Sequence, residues 1–451
     1  MTVEDLDLSL VSDGQRLLRF IENRREGSGV MNVPVTYVLR GELDVSALQR
    51  ALDSLVARHE SLRTRFVRRE RLYQAVHPPF GVPIVVSDLT DRADPWAEAY
   101  TLLAQRLLTN IPVLSDWPFT VDLVRTGGNE HILLLNVHHL VTDAWSNMLI
   151  CRDLGYLYSR EIGHVGADLP PVQWQFRDYV RWEEERLAGP AAIEHERYWI
   201  DRLDQASFVG LAAPQDDQFA SRPPSKNVWF TITGEQVAQL RGVATENRTT
   251  LFVVASALFA ATLYAASGQR ELAFGSIFAN RGRPEVASTV GFFANMVVLD
   301  LAVPESATTL DFVEPMRQTV LQALGHQQYP YRRLAIGDRT SRSQRASEVV
   351  FHMLAAPPKV DSPEHVSFAG LEIEQLRIPD GMGTRFDLEL LLLPRRDCLD
   401  GVFRYSHGRY DAHYVERLST TYLGLLDALV THPNQQIPVP IAQHPEQGAM
   451  T

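Results

Sequence analysis

Apolar positions along this chain follow two periods, and the change between them marks its most informative stretch. Ile132-Leu133-Leu134-Leu135-Asn136-Val137 is an apolar, branched run, which predicts a buried strand. From Ala144 to about Arg160 the spacing becomes helical. Between them stands His138-His139-Leu140-Val141-Thr142-Asp143, where a strand breaks into a helix. Loops held by a rigid scaffold at such junctions often carry chemistry. Upstream, Val35 to Leu39 and Leu62 to Val67 read as strands around a helix from about Ala47 to His59, with Ser46 as its N-cap. Ala97 to Leu108 reads as another helix. Val121 to Val124 pairs with the Ile132 run across a Gly127-Gly128-Asn129 turn.

The pattern pauses at Leu169-Pro170-Pro171, the best linker, before a charged helix from Phe176 to Leu187 and beyond. It then restarts. A strand at Val228 to Ile232 precedes helices at about 235–246 and 249–267. Strands follow near 271–278, 296–302, 347–354, 386–393 and 400–405, and a last helix spans about 411–431. Strands and helices mix in both halves, which predicts two α/β sandwiches. A length of 451 residues also exceeds one average core.

The formal charge of −12 argues against nucleic acid as the main partner. Cys151 and Cys398 lack metal-ligand spacing and read as reduced, cytosolic residues. The acidic N-terminus lacks the basic region of a signal peptide. Leu251 to Ala266 is the longest apolar stretch, but it falls short of the ~20 residues of a membrane span and reads as a core helix. The expectation is a monomeric cytoplasmic protein with no membrane or nucleic-acid partner. No phosphate-binding glycine loop, zinc spacing or G-x-S-x-G nucleophile elbow is visible, so no metal and no covalent enzyme intermediate are expected.

Several segments together resemble the condensation domain family of nonribosomal peptide synthesis, within the chloramphenicol acetyltransferase-like superfamily. The family motif HHxxxDG reads His138-His139-x-x-x-Asp143-Ala144. Arg58-His59-Glu60-Ser61-Leu62-Arg63-Thr64-Arg65-Phe66 resembles RHExLRTxF, and Ser12-x-Gly14-Gln15-x-Leu17-Leu18 partly matches SxAQxRL. Gln175 to Trp182 is similar to YxDYAxW, and Phe274 to Glu285 to FGxxxxGRxRPE. Val290 to Asn295 is similar to VGFFVN, and His326 to Tyr331 to HQDYPFE. The matches run in the family's order over nearly the whole chain. Ala144 replaces the motif glycine, Ala294 replaces a valine, and Thr340 to Arg345 match RDxSRNPL poorly.

The resemblance implies two acetyltransferase-like lobes, residues 1–172 and 173–451, in a V-shaped pseudo-dimer with a central tunnel. It implies a carrier protein whose phosphopantetheine arm delivers an acyl thioester, and a small-molecule acceptor. With no adenylation or carrier domain visible, the chain is expected to be free-standing and to need no bound cofactor. His139 is the expected base. Its neutral imidazole can accept a proton from the acceptor. His138 is expected to support the loop. Asp143 is expected to be a structural anion paired with Arg281 from the second lobe, because a buried carboxylate without a cation is costly. Ala144, Trp145, Asn295 and His352 are candidates for lining the substrate site, with Ser146 as a helix cap. Arg332, Arg333, Arg339, Arg342 and Arg345 form a candidate docking patch for an acidic carrier. Two rivals stay open, a coenzyme A-dependent acyltransferase and a catalytically silent recruitment module; retention of His139 counts against the second. No EGHGRE-like segment points to epimerisation, and His138 argues against cyclisation.

Overall fold

The computed structural model describes residues 8–23, 29–164, 168–211, 225–334, 344–354, 366–377, 380–395 and 398–438. Two main sheets organise them. The first runs in the order Glu372–Gln375, Asn32–Arg40, Glu130–His138, Phe119–Gly127, Ile84–Asp88. The second runs Asn295–Ala302, Glu271–Phe278, Val349–Met353, Leu388–Pro394, Leu399–Ser406, Ser225–Ile232. A small sheet joins Leu8–Leu10, Leu72–Val76 and Thr64–Arg68.

Strand Glu130–His138 is apolar from Ile132 to Leu135 because both its faces are covered there. Leu133, Leu135 and Val137 pack with Leu52 and Leu55 of the helix Val45–Arg58 and with Ile150 of the helix Ala144–Glu161. Ile132 and Leu134 point the other way, into Leu103 and Leu107 of the helix Pro95–Leu108. The period of two has thus divided one run between two cores.

The second sheet treats its apolar strand differently. Leu388, Leu390 and Leu392 enter a core with the helix Leu251–Ser267, whereas Glu389, Leu391 and Leu393 line a cavity. The helix Leu251–Ser267 is buried nearly all round, capped by Thr250 and ended by Gly268 at φ 69°. A left-handed residue there favours glycine. Among the described residues no single helix is long and apolar enough to cross a membrane.

Asp44, not Ser46, caps the helix Val45–Arg58, its side chain accepting from the Ala47 amide. Leu62 falls in a 3-10 turn, Glu60–Arg63, and the strand begins only at Thr64. Residues 168–175, around the expected linker, carry no helix or strand. One strand from beyond that point, Glu372–Gln375, pairs antiparallel with Asn32–Arg40 and so extends the first sheet.

Candidate active site at the strand-to-helix turn

The turn after strand Glu130–His138 is fixed group by group. The His138 amide donates to the Pro118 carbonyl at 2.7 Å, and the His139 amide to the Met31 carbonyl at 2.8 Å. Gln15, fully buried, donates to the Leu140 carbonyl at 2.8 Å. Both nitrogens of His138 are engaged. Nδ1 accepts from the Leu140 amide at 3.1 Å, so Nε2 carries the proton and faces Glu22 Oε1 at 2.9 Å. Burial alone would raise the Glu22 pKa; His138 and Arg19 outweigh it and hold the group below the ordinary value.

His139 is set differently. Its Nδ1 lies 2.7 Å from the Thr142 carbonyl oxygen, which can only accept. Nδ1 therefore carries the proton, and the neutral ring leaves a lone pair on Nε2. Burial, with the charge of Arg385 adding, pushes the imidazole pKa well below its usual 6.5. The ring meets Phe292 edge-on, with centroids 5.0 Å apart. Gly14 makes room for that phenyl, since a Cβ there would stand 2.9 Å from its Cε1. A cavity of about 1230 Å³ opens at His139.

Asp143 begins the next helix. Its Oδ1 accepts from the Ser146 amide at 2.7 Å and from Arg281 Nη2 at 3.2 Å, and its Oδ2 accepts from the Phe293 amide at 3.0 Å. The cap is thus Asp143 rather than Ser146. Ser146 Oγ instead donates to the Gly291 carbonyl at 2.7 Å and accepts from Arg281 Nη2 at 2.7 Å. Arg281 also donates to the Val286 and Thr289 carbonyls, both at 2.8 Å, and lies 4.0 Å over the Phe293 ring. Burial lowers the Arg281 pKa, and Asp143 opposes that.

The remaining candidates divide. Ala144 and Trp145 line the cavity. Ala144 is the first residue of its helix and has no positive φ, so its backbone does not require the motif glycine. Trp145 Nε1 donates to the Ala287 carbonyl at 3.2 Å. Asn295 borders the cavity, but its amide is committed to backbone: Nδ2 to the Gln327 and Tyr329 carbonyls at 2.8 and 2.7 Å, Oδ1 to the Tyr331 amide at 3.0 Å. His352 lines the cavity and pairs with Glu389 at 3.0 Å. In the basic stretch, Arg332 and Arg333 are drawn onto Asp13 at 3.1 and 2.6 Å. Arg345 Nη2 donates to the Phe208 carbonyl at 3.5 Å. Arg339 and Arg342, and Thr340, Ser341 and Ser343 of the poorly matching segment, lie outside the described residues.

Four contributors escaped the sequence reading: Glu22, Phe292 as a wall on His139, Arg385 and Glu389. For Glu389 a signal existed, because a lone acid in Leu388-Glu389-Leu390-Leu391-Leu392 needs a buried partner.

A family model for the condensation domain matches residues 7–441. The chain belongs to the condensation domain family. One of the linear gramicidin synthase proteins of Brevibacillus parabrevis is 30% identical over 435 residues, which cover 95% of this chain and 6% of that protein. The chain spans a small part of the length of such relatives. Two solved structures share the condensation domain fold. The first condensation domain of the calcium-dependent antibiotic synthetase superposes with a TM-score of 0.79 at 22% identity, covering 96% of this chain and 98% of that one. The SgcC5 protein from Streptomyces globisporus gives 0.79 at 22% identity, covering 95% and 100%. In this condensation domain another of the family's motifs braces the helix that follows the turn. Arg58 and His59 reach Asp153 of the helix Ala144–Glu161 at 2.8 and 2.9 Å. Burial would raise the Asp153 pKa; His59 first, then Arg152 and Arg58, bring it down to about 2.

Proposed function

We propose that this condensation domain acts as an acyltransferase in natural-product assembly. It joins an acyl or aminoacyl group, carried as a thioester on a carrier protein's phosphopantetheine arm, to an amine or hydroxyl acceptor. One observation carries the reading: His139 is locked by the Thr142 carbonyl in the tautomer that leaves Nε2 unprotonated, and the residue borders the cavity.

In the proposed step the acceptor's nitrogen or oxygen attacks the thioester carbonyl while Nε2 takes its proton. The carbon–sulfur bond then breaks, and the thiolate leaves with that proton. A free α-amine with a pKa of about 8 is already roughly one-tenth neutral near pH 7, so placement does much of the work. A hydroxyl is not, so His139 matters more for ester formation. His138 and Asp143 act by holding the turn. We place the lobe boundary at residues 172 and 173, with the tunnel between the lobes.

The test is to incubate the protein with carrier-loaded acyl donors and small amines and alcohols, and to identify products by mass. His139→Ala is expected to lower turnover by roughly 100-fold or more with an unchanged circular dichroism spectrum. Wild-type turnover in that variant refutes the base assignment. Full turnover with acyl-coenzyme A and none with acyl-carrier protein reassigns the donor.

A further inference from the structure

The tautomer of His139 depends on a residue whose own backbone is not tied. Among the described residues Thr142 takes part in no backbone–backbone hydrogen bond, yet its carbonyl is the group that keeps the proton on His139 Nδ1. The chain on either side is tied. The His138 carbonyl accepts from the Val141 amide at 3.0 Å, and the Asp143 carbonyl from the Asn147 amide at 2.9 Å. Thr142 falls between these two bonds, wholly buried. No backbone bond therefore keeps its carbonyl aimed at the imidazole.

The side chain of Thr142 is what holds it. Its hydroxyl lies 2.6 Å from Asn147 Oδ1 and 3.2 Å from the Asp143 carbonyl oxygen. Asn147 Nδ2 donates to the Val33 carbonyl at 3.4 Å. A carbonyl can only accept, so Nδ2 faces Val33 and Oδ1 faces Thr142. The hydroxyl has a single proton, and Oδ1, the nearer acceptor, takes it. Asn147 is itself buried, at the start of the helix Ala144–Glu161. A buried hydroxyl or amide is costly without its partner, so the two groups hold each other. Val33 belongs to the strand Asn32–Arg40 and follows closely on Met31, whose carbonyl accepts from the His139 amide. One stretch of chain thus grips His139 twice, by its backbone through Met31 and by its ring through Asn147 and Thr142.

We propose that Asn147 is a positioning residue for His139. It holds the Thr142 side chain, and through it the Thr142 carbonyl that fixes the imidazole tautomer. Its bearing on turnover rests on the reading of His139 as the base.

The first readout needs no substrate, so it stands apart from whether acyl transfer is observed. Imidazole nitrogen shifts are measured by NMR on the full chain carrying isotope-labelled histidine, with the His139 signals assigned by their loss in His139→Ala. Wild type is expected to show a protonated Nδ1 and an unprotonated Nε2. Thr142→Val keeps the side-chain shape and drops the hydroxyl; Asn147→Leu removes its acceptor. Each is expected to bring the two shifts together, as in a ring exchanging between tautomers. Thr142→Ser restores the hydroxyl and is expected to recover the wild-type signals. Wild-type signals in folded Thr142→Val or Asn147→Leu overturn the proposal, and if one variant fails to fold the other decides. The second readout is turnover with a carrier-loaded donor. Both variants are expected to lower kcat by roughly 10-fold with KM unchanged. A raised KM at unchanged kcat makes Asn147, which lines the cavity, a substrate contact and overturns the positioning role. Moved signals with wild-type turnover uphold the positioning of His139 and refute its assignment as the base.

Discussion

At the scale of the residue, the base role proposed for His139 depends on the imidazole being held neutral. A base must be unprotonated when substrate arrives, and burial together with the Arg385 charge keeps this imidazole deprotonated well below its usual 6.5. The acid limb of kcat/KM is therefore expected below pH 6.5, measured with a carrier-loaded donor across pH 5 to 8; a limb above 6.5 contradicts the assignment. The same group links pH to stability. Below its ordinary value the unfolded chain takes up a proton that the folded protein refuses, so its contribution is complete above 6.5 and is lost as pH falls. His139, His138, Asp143 and Arg281 were legible in the sequence, because their spacing is local or lies in an ordered motif. The Thr142 carbonyl that fixes the tautomer was not, since backbone direction in a turn leaves no mark on residue type. Nor was the close approach of Phe292 to Gly14, which joins positions distant in sequence.

At the scale of the element, buried polar contacts couple pieces that the hydrophobic pattern treats as separate. The helices Asp13–Asn23 and Phe176–Ala188 meet through Glu183, whose Oε2 accepts from the Asp13 amide at 3.1 Å and whose Oε1 accepts from the Tyr179 hydroxyl at 3.3 Å. Burial first, and the Asp13 charge after it, raise the Glu183 pKa from 4.5 to about 7. Between those values the folded protein keeps a proton that the unfolded chain releases. Stability from this group is thus complete below 4.5 and is lost as pH rises through about 7. Glu183→Gln removes the titration while keeping the shape. It is expected to melt higher than wild type at pH 8 and about equally at pH 5 in differential scanning fluorimetry; a variant no more stable at pH 8 contradicts this. Long periodic elements were legible to within a few residues, as with the helix Leu251–Ser267 and the strand Glu130–His138. The strand Ile84–Asp88 was not, because no residue in it is buried and its alternation is weak. The helix Asp13–Asn23 was hidden by motif residues that face partners far away in sequence, as Gln15 faces Leu140.

At the scale of the whole molecule, the site is assembled by contacts between sequence halves that neither half implies alone. Strand Glu372–Gln375 extends the first sheet, a pairing across more than three hundred residues that local pattern cannot announce. The segment 281–293 lies against the His139 turn through Arg281, Gly291 and Phe293, all gathered on Asp143 and Ser146. Gly291 also lets the segment pass the Phe176 ring, because a Cβ there would stand 2.1 Å from it. The Asp143–Arg281 pair is the charged centre of this contact, with both side chains almost wholly buried. Removing one partner leaves the other as an uncompensated buried charge, a loss on the order of 3–5 kcal/mol. Asp143→Ala is therefore expected to lower the melting temperature and abolish turnover together, since the same bonds hold the His139 turn. Arg281→Ala is expected to behave alike. The double variant decides between a coupled pair and two independent supports. Coupling requires it to cost less than the sum of the single variants, by roughly 1–3 kcal/mol in denaturant titrations, because the second change deletes the charge that the first had stranded. A strictly additive result would assign the stabilisation to separate hydrogen bonds, those from Arg281 to Val286 and Thr289 and those that Asp143 accepts from the Ser146 and Phe293 amides.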